Sequence, residues 1–142
     1  MSRQQSISVI TLGIEDIARS KRFYRDGFGW TPVFENDEIV FYQMNGLMLG
    51  TWLKDKLAED RGAPSAASSG GVSIAHNVAD AAAVDALVGR LLAAGGSLLR
   101  SPDDPPHGGR RGYVADPDGH AWEIAWNPAW PMDDEGHVRF GL

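Results

Sequence analysis

A chain of 142 residues with 43% hydrophobic content has the composition of a globular protein and room for one domain, or for two small modules sharing a core. Its 13 basic and 19 acidic residues give a net charge of −6, with no basic run, which argues against a nucleic-acid partner. There is no cysteine, which excludes disulfides and thiolate chemistry; Met1-Ser2-Arg3-Gln4-Gln5 lacks an apolar signal core and no apolar run is long enough to span a bilayer, so a cytoplasmic protein without a membrane partner is expected.

Residues 7–14 alternate, with Ile10, Leu12 and Ile14 on one face and Val9, Thr11 and Gly13 on the other, the pattern of a strand. Asp16 is placed to N-cap a helix from Ile17 to about Arg25, which Gly27 and Gly29 break. Residues 31–35, 38–44 and 47–53 read as three further strands, the last two joined at Asn45-Gly46, a two-residue hairpin signal with both positions at positive φ. Residues 54–71 turn charged and then rich in Ala, Ser and Gly, which reads as a linker with a short helical start, or as a lid. A second strand follows at 72–78. Asp80 then caps a helix from 81 to about 94, whose Val84, Leu87, Val88, Leu91 and Leu92 share one face. Gly95-Gly96 ends it, Ser97–Arg100 is a strand, and Pro102–Gly109 is a polar loop. Arg110–Ala115 and Ala121–Trp126 are strands about an Asp116-Pro117-Asp118-Gly119 turn, and a polar tail closes the chain.

The order repeats. Ser8–Asp16 matches Val72–Asp80, and Met44–Gly50 matches Pro117–Glu123, so the chain is two copies of one strand–helix–three-strand unit. The segments "RSKRFYRDGFGW" and "GYVADPDGHAWEIAWNP" within such a repeat resemble the vicinal oxygen chelate superfamily, which includes glyoxalase I, extradiol dioxygenases, fosfomycin-resistance enzymes and bleomycin-binding proteins. The resemblance covers roughly residues 6 to 130 and implies an α+β fold in which two βαβββ modules form a sheet-lined cavity. The expected organisation is a single domain over 1–142, with modules at 6–53 and 72–127, a linker at 54–71 and a tail at 128–142.

In metal-dependent members of that superfamily the ligands stand on the first and last strands of each module. The match places those slots at Val9, Gly50, Ser73 and Glu123. Valine and glycine have no donor atom, serine is a poor ligand, and one carboxylate does not hold a catalytic ion, since such sites use about three protein ligands. No cofactor is therefore expected, and a divalent metal is disfavoured unless a partner chain supplies ligands. The resemblance implies a homodimer.

Glu123 is the candidate catalytic residue, a general base if burial raises its pKa, or else a carboxylate paired with an arginine. One of Arg110 and Arg111 should point into the cavity by alternation, to bind an anionic group on a ligand or to neutralise Glu123. Thr11, Ala75 and Asn77 are small or polar and share the presumed cavity face with Val9 and Ser73; Gly50, Trp52 and Tyr113 complete the expected ligand-binding set. His76 falls in phase with Ile74 and Val78, so a hydrogen-bonded core histidine is expected. His107 is a loop residue near the cavity mouth, His120 a structural turn residue, and His137 exposed. The functional expectation is metal-independent binding of a small aromatic or cationic molecule. The alternative is a glyoxalase-type lyase or isomerase with an atypical metal site or with Glu123 as base.

Overall fold

The computed structural model describes residues 5–63 and 71–139. In the first module, β1 (Val9–Ile14) leads to α1 (Ile17–Arg22), which continues as a π-helical turn (Phe23–Gly27), then to β2 (Phe34–Glu35), β3 (Ile39–Gln43) and β4 (Met48–Leu53). After α2 (Lys54–Arg61), the second module runs β5 (Ser73–Asn77), α3 (Ala81–Ala93), β6 (Ser97–Asp103), β7 (Arg110–Ala115) and β8 (Ala121–Trp126). The two sheets have the orders β1-β4-β3-β2 and β5-β8-β7-β6, with β1–β4 and β5–β8 parallel and the other pairs antiparallel. The α+β class and the two βαβββ modules are as the repeat requires. The sheets are not closed on each other: β1 and β5 remain edge strands.

Local chemistry sets the element ends. Asp16 and Asp80 cap their helices, their side chains accepting from the backbone N–H of Arg19 at 2.7 Å and of Ala83 at 2.8 Å. The helical start expected in the linker is the eight-residue α2, packed at the Gly13 end of β1; residues 64–70 of the lid reading lie outside the described residues. The strand expected over 31–35 shrinks to Phe34–Glu35, with Pro32 lacking the N–H that ladder pairing needs. Positive φ in the β3–β4 hairpin falls on Gly46 alone, the pattern of a type II turn rather than of the expected two-residue turn with both positions positive. No helix among the described residues is long and apolar enough to cross a membrane.

The core sits between the modules. Leu12, Val40, Tyr42 and Leu49 from the first sheet join Val114, Trp122 and Ile124 from the second and Val84, Leu87, Val88 and Leu91 from α3 in one apolar cluster. Phe23 and Tyr24, fully buried on the π-turn, stand where the modules meet. The joint is tight enough to require glycine. A Cβ at Gly27 would lie 2.7 Å from Leu91 Cδ2, and one at Gly96 would lie 2.7 Å from both Phe23 Cε1 and Val114 Cγ1 and 2.9 Å from the Leu91 carbonyl oxygen. The carbonyl cannot rotate away as a side chain can. Gly96→Val is therefore expected to destabilise the fold by about 3 kcal/mol, the upper range for overpacking. Urea unfolding measures it, and an unchanged midpoint would mean the joint yields.

The turn at Asp116–His120 locks the modules polar group by polar group. Tyr24 donates its hydroxyl to Asp116 Oδ2 at 2.7 Å and accepts from Trp122 Nε1 at 3.1 Å. Asp116 Oδ1 accepts from the N–H of Asp118 at 2.9 Å and of His120 at 2.8 Å. Asp118 Oδ1 accepts from the Glu15 N–H and from Arg19, and His120 Nε2 lies 2.7 Å from the Gly13 carbonyl oxygen. His120 is structural, as its place in the turn implies. Burial raises the Asp116 carboxyl above the ordinary aspartate value, and the Tyr24 hydroxyl pulls it back.

Candidate functional site

Each sheet has a second face, turned away from this core. On the first sheet it carries Val9, Thr11, Phe41, Gly50 and Trp52, because side chains alternate along each strand and the β1–β4 and β3–β4 registers set Thr11 and Phe41 on either side of Gly50. On the second sheet it carries Ser73, Ala75, Arg111, Tyr113 and Glu123, with Ala75 and Tyr113 the direct cross-strand neighbours of Glu123. Val9 is 47% exposed, and Phe34, which continues the first of these faces, is 52% exposed. An apolar, partly aromatic wall in one module and a polar patch around one carboxylate in the other thus face outward.

The polar patch is small. The Glu123 carboxylate lies beside the Tyr113 hydroxyl; partial burial first, and then that negative charge, raise the Tyr113 pKa. Arg111 is on the same face but is engaged by Asp103 rather than by Glu123, so the expected Glu123–arginine pair does not form. Arg110 takes the opposite direction by alternation. Its guanidinium bonds both carboxylate oxygens of Asp85 on α3, at 2.8 and 3.1 Å, and Asp104 at 3.0 Å, which removes it from the expected ligand-binding group. Trp52 Nε1 donates weakly to Glu38 at 3.4 Å, leaving its ring on the open face. His107 is exposed in the β6–β7 loop, and His137 is half-buried in the tail near Asp133 and Glu135.

Residues 6–124 match the family model for the Glyoxalase/Bleomycin resistance protein/Dioxygenase superfamily. The chain belongs to this superfamily. Among solved structures, a glyoxalase-related enzyme from Fulvimarina pelagi is 57% identical, with a TM-score of 0.94 over 98% of this chain and 100% of that one. A glyoxalase/bleomycin resistance protein/dioxygenase family enzyme from Burkholderia phytofirmans PsJN shares the fold at 18% identity and TM-score 0.73, covering 84% of this chain and 96% of that one. A lactoylglutathione lyase from Agrobacterium tumefaciens does so at 20% identity and TM-score 0.68, covering 92% and 100%. A search of the curated proteins found no match.

The four ligand slots implied by the resemblance to this superfamily, at Val9, Gly50, Ser73 and Glu123, all fall on the open faces. Their donors do not fit a divalent ion, since two positions have none and one offers only a hydroxyl. The Gly50 slot is also filled. A Cβ built there would lie 3.0 Å from Phe41 Cε1, so the Phe41 ring occupies the space into which a liganding side chain would project. Among the described residues, no three His, Cys, Asp or Glu side chains come together in a group able to hold a metal. Phe41 lies in the strand expected over 38–44, and nothing in the local sequence singles it out. The signal that singles it out is its cross-strand pairing with a glycine, visible once the hairpin register is fixed.

His76 does not make the hydrogen bond expected of it. Its ring lies on the core side, edge-on to Phe28 at 5.3 Å and to Trp30 at 5.8 Å, and no described residue bonds either nitrogen. Burial lowers its pKa, so the folded chain holds it neutral while the unfolded chain protonates near pH 6.5. The unfolded state then binds more protons between pH 6.5 and the lower folded value, and His76 destabilises the fold progressively as pH falls through that window. Thermal unfolding at pH 7 and at pH 5 should show a smaller loss of stability in His76→Leu than in the wild type, and an equal loss would contradict this.

Proposed function

We propose that this protein is a small-molecule-binding member of the Glyoxalase/Bleomycin resistance protein/Dioxygenase superfamily that works without a metal ion. In this reading it takes an aromatic or cationic compound against its open faces, and a second copy of the chain completes the site. The observation that carries the reading is the state of the four slots: Phe41 packs over Gly50, Val9 and Ser73 are weak or empty donors, and Glu123 is left as a lone carboxylate beside Tyr113. Such a carboxylate, set opposite the aromatic wall of a second copy, suits a flat cation better than a metal. The exposure of Val9 and Phe34 supports pairing between copies, because unpartnered apolar sheet faces mark association surfaces.

A second reading is catalysis with Glu123 as general base. It is favoured by the Tyr113 hydroxyl beside that carboxylate and by the description of the Fulvimarina pelagi relative as an enzyme.

One titration separates these. Binding of N-methylquinolinium, followed by calorimetry, should be unchanged by EDTA and weakened about tenfold by Glu123→Gln, the scale of one lost charge-assisted contact. Loss of binding in EDTA would contradict the metal-free reading. Across a panel of candidate substrates, turnover that disappears in Glu123→Gln while binding persists would favour catalysis.

A further inference from the structure

On the core side of the two sheets, where α1 and α3 do not fill the space between the modules, lies a cavity of about 520 Å³, within the range of small-molecule sites. It is separate from the open faces. Of the expected binding residues only Ala75 and Asn77, on the edge strand β5, reach it. Its walls are Trp30, Trp122 and Tyr42, with Met44 and Met132 among the residues that line it.

Three features distinguish it from a packing defect. First, its lining contains no Asp, Glu, Lys or Arg, although the chain carries 32 such residues among its 142 (13 basic and 19 acidic). An ionised guest would be desolvated there without a counter-charge. Second, His76 lines the cavity, its ring edge-on to both Phe28 and Trp30, and neither of its ring nitrogens has a partner among the described residues. A neutral imidazole offers one donor and one acceptor, both left for a guest. Third, the tail is built into its rim. Met132 and Val138 pair as a β-bridge, Asp133 Oδ1 accepts from the N–H of Glu135 and of His137 to fix the turn between them, and Asn45 reaches the Gly136 carbonyl at 3.5 Å. Residues from both modules and the tail therefore converge on one uncharged, aromatic space whose lining includes the unpartnered His76 imidazole and, deeper in the wall, the Tyr42 hydroxyl, which likewise has no partner among the described residues.

We propose that this cavity is a second binding site, for a neutral, flat, largely apolar molecule bearing one hydroxyl or similar group that hydrogen-bonds His76. The stacked pair Phe28–Trp30, 4.1 Å apart and nearly parallel, gives Trp30 a fixed orientation, and Trp122 stands 5.7 Å from it at a steep angle, so a planar guest meets aromatic surface on two sides. The inference is independent of whether the open faces bind anything.

The test uses 2-naphthol as the probe and the 2-naphthoate anion as its charged counterpart. Equilibrium dialysis against the full-length protein at pH 7 should show saturable binding of one 2-naphthol per chain, with 2-naphthoate at least about tenfold weaker. His76→Phe should weaken 2-naphthol about tenfold, the effect of leaving one buried polar group without a partner. Glu123→Gln, on the other side of the second sheet, should leave it within about twofold. In the unmodified protein the His76 ring resonances should shift on addition of the probe, while those of His107, in the β6–β7 loop outside the lining, stay in place; this holds whether or not the His76 variant folds. Absence of saturation, an unmoved His76 signal, equal affinity for the anion, equal affinity in His76→Phe, or weakening by Glu123→Gln would each overturn the proposal.

Discussion

Replacing Asp116 by alanine is expected to destabilise the protein by about 3–5 kcal/mol, and to lower its melting temperature by roughly 10–20 °C for a chain of this size. One carboxylate satisfies three donors: the buried Tyr24 hydroxyl and the backbone N–H groups of Asp118 and His120. Alanine leaves the fully buried Tyr24 hydroxyl and the two part-buried N–H groups without that partner, and each orphaned buried group costs about 1–3 kcal/mol. Asp116→Asn keeps an oxygen for the two backbone donors and should cost less, about 1–2 kcal/mol. Guanidinium unfolding of the three proteins ranks them, and an alanine variant as stable as the asparagine one would show that the network does not hold the modules.

Trp122→Ala is expected to cost about 4 kcal/mol, within the usual range for removing a buried tryptophan. Trp122 is 3% exposed and packs against Phe28 at 4.9 Å, Trp30 at 5.7 Å and Tyr24 at 5.9 Å. Trp122→Phe retains much of that ring contact but loses the N–H that Tyr24 accepts, and should cost about 1–2 kcal/mol. Because Trp122 and Asp116 meet on the same Tyr24 hydroxyl, the double variant Asp116→Ala/Trp122→Phe should fall short of the sum of its parts by about 1 kcal/mol. Strict additivity would mean that the two act on separate structures.

These two effects explain why the fold was legible. The segments that carried the family resemblance, "RSKRFYRDGFGW" and "GYVADPDGHAWEIAWNP", are the two halves of the inter-module joint. The first supplies Phe23, Tyr24, Gly27, Phe28 and Trp30, and the second supplies Asp116, Asp118, His120 and Trp122. They are distinctive because close helix approach, a shared hydroxyl and a capped turn each restrict residue type. Asp16 and Asp80 announced their helices for a similarly local reason, a side chain bonding a backbone N–H three residues on.

The site was less legible, because its features depend on pairing rather than on local sequence. Alternation correctly split Ile10 and Leu12 from Val9 and Thr11, but could not say which of Arg110 and Arg111 a carboxylate on α3 would draw off. It could not show that Phe41 lies over Gly50, which follows only from the hairpin register. His76 was assigned to the correct face and expected to be satisfied there. Periodicity gives direction, but says nothing about whether the space ahead of a side chain is filled.

The superfamily's fold accommodates metal-dependent and metal-free chemistry alike, so the four slots decide more here than the architecture does. The most direct test of the metal-free reading is calorimetric titration of chelator-stripped protein with Mn²⁺, Co²⁺, Ni²⁺ and Zn²⁺, with metal content per chain measured after dialysis. No stoichiometric binding at micromolar protein and no retained ion are expected. One ion per chain, held through dialysis and lost in Glu123→Gln, would contradict that reading and assign Glu123 to a metal centre completed by ligands from a second chain.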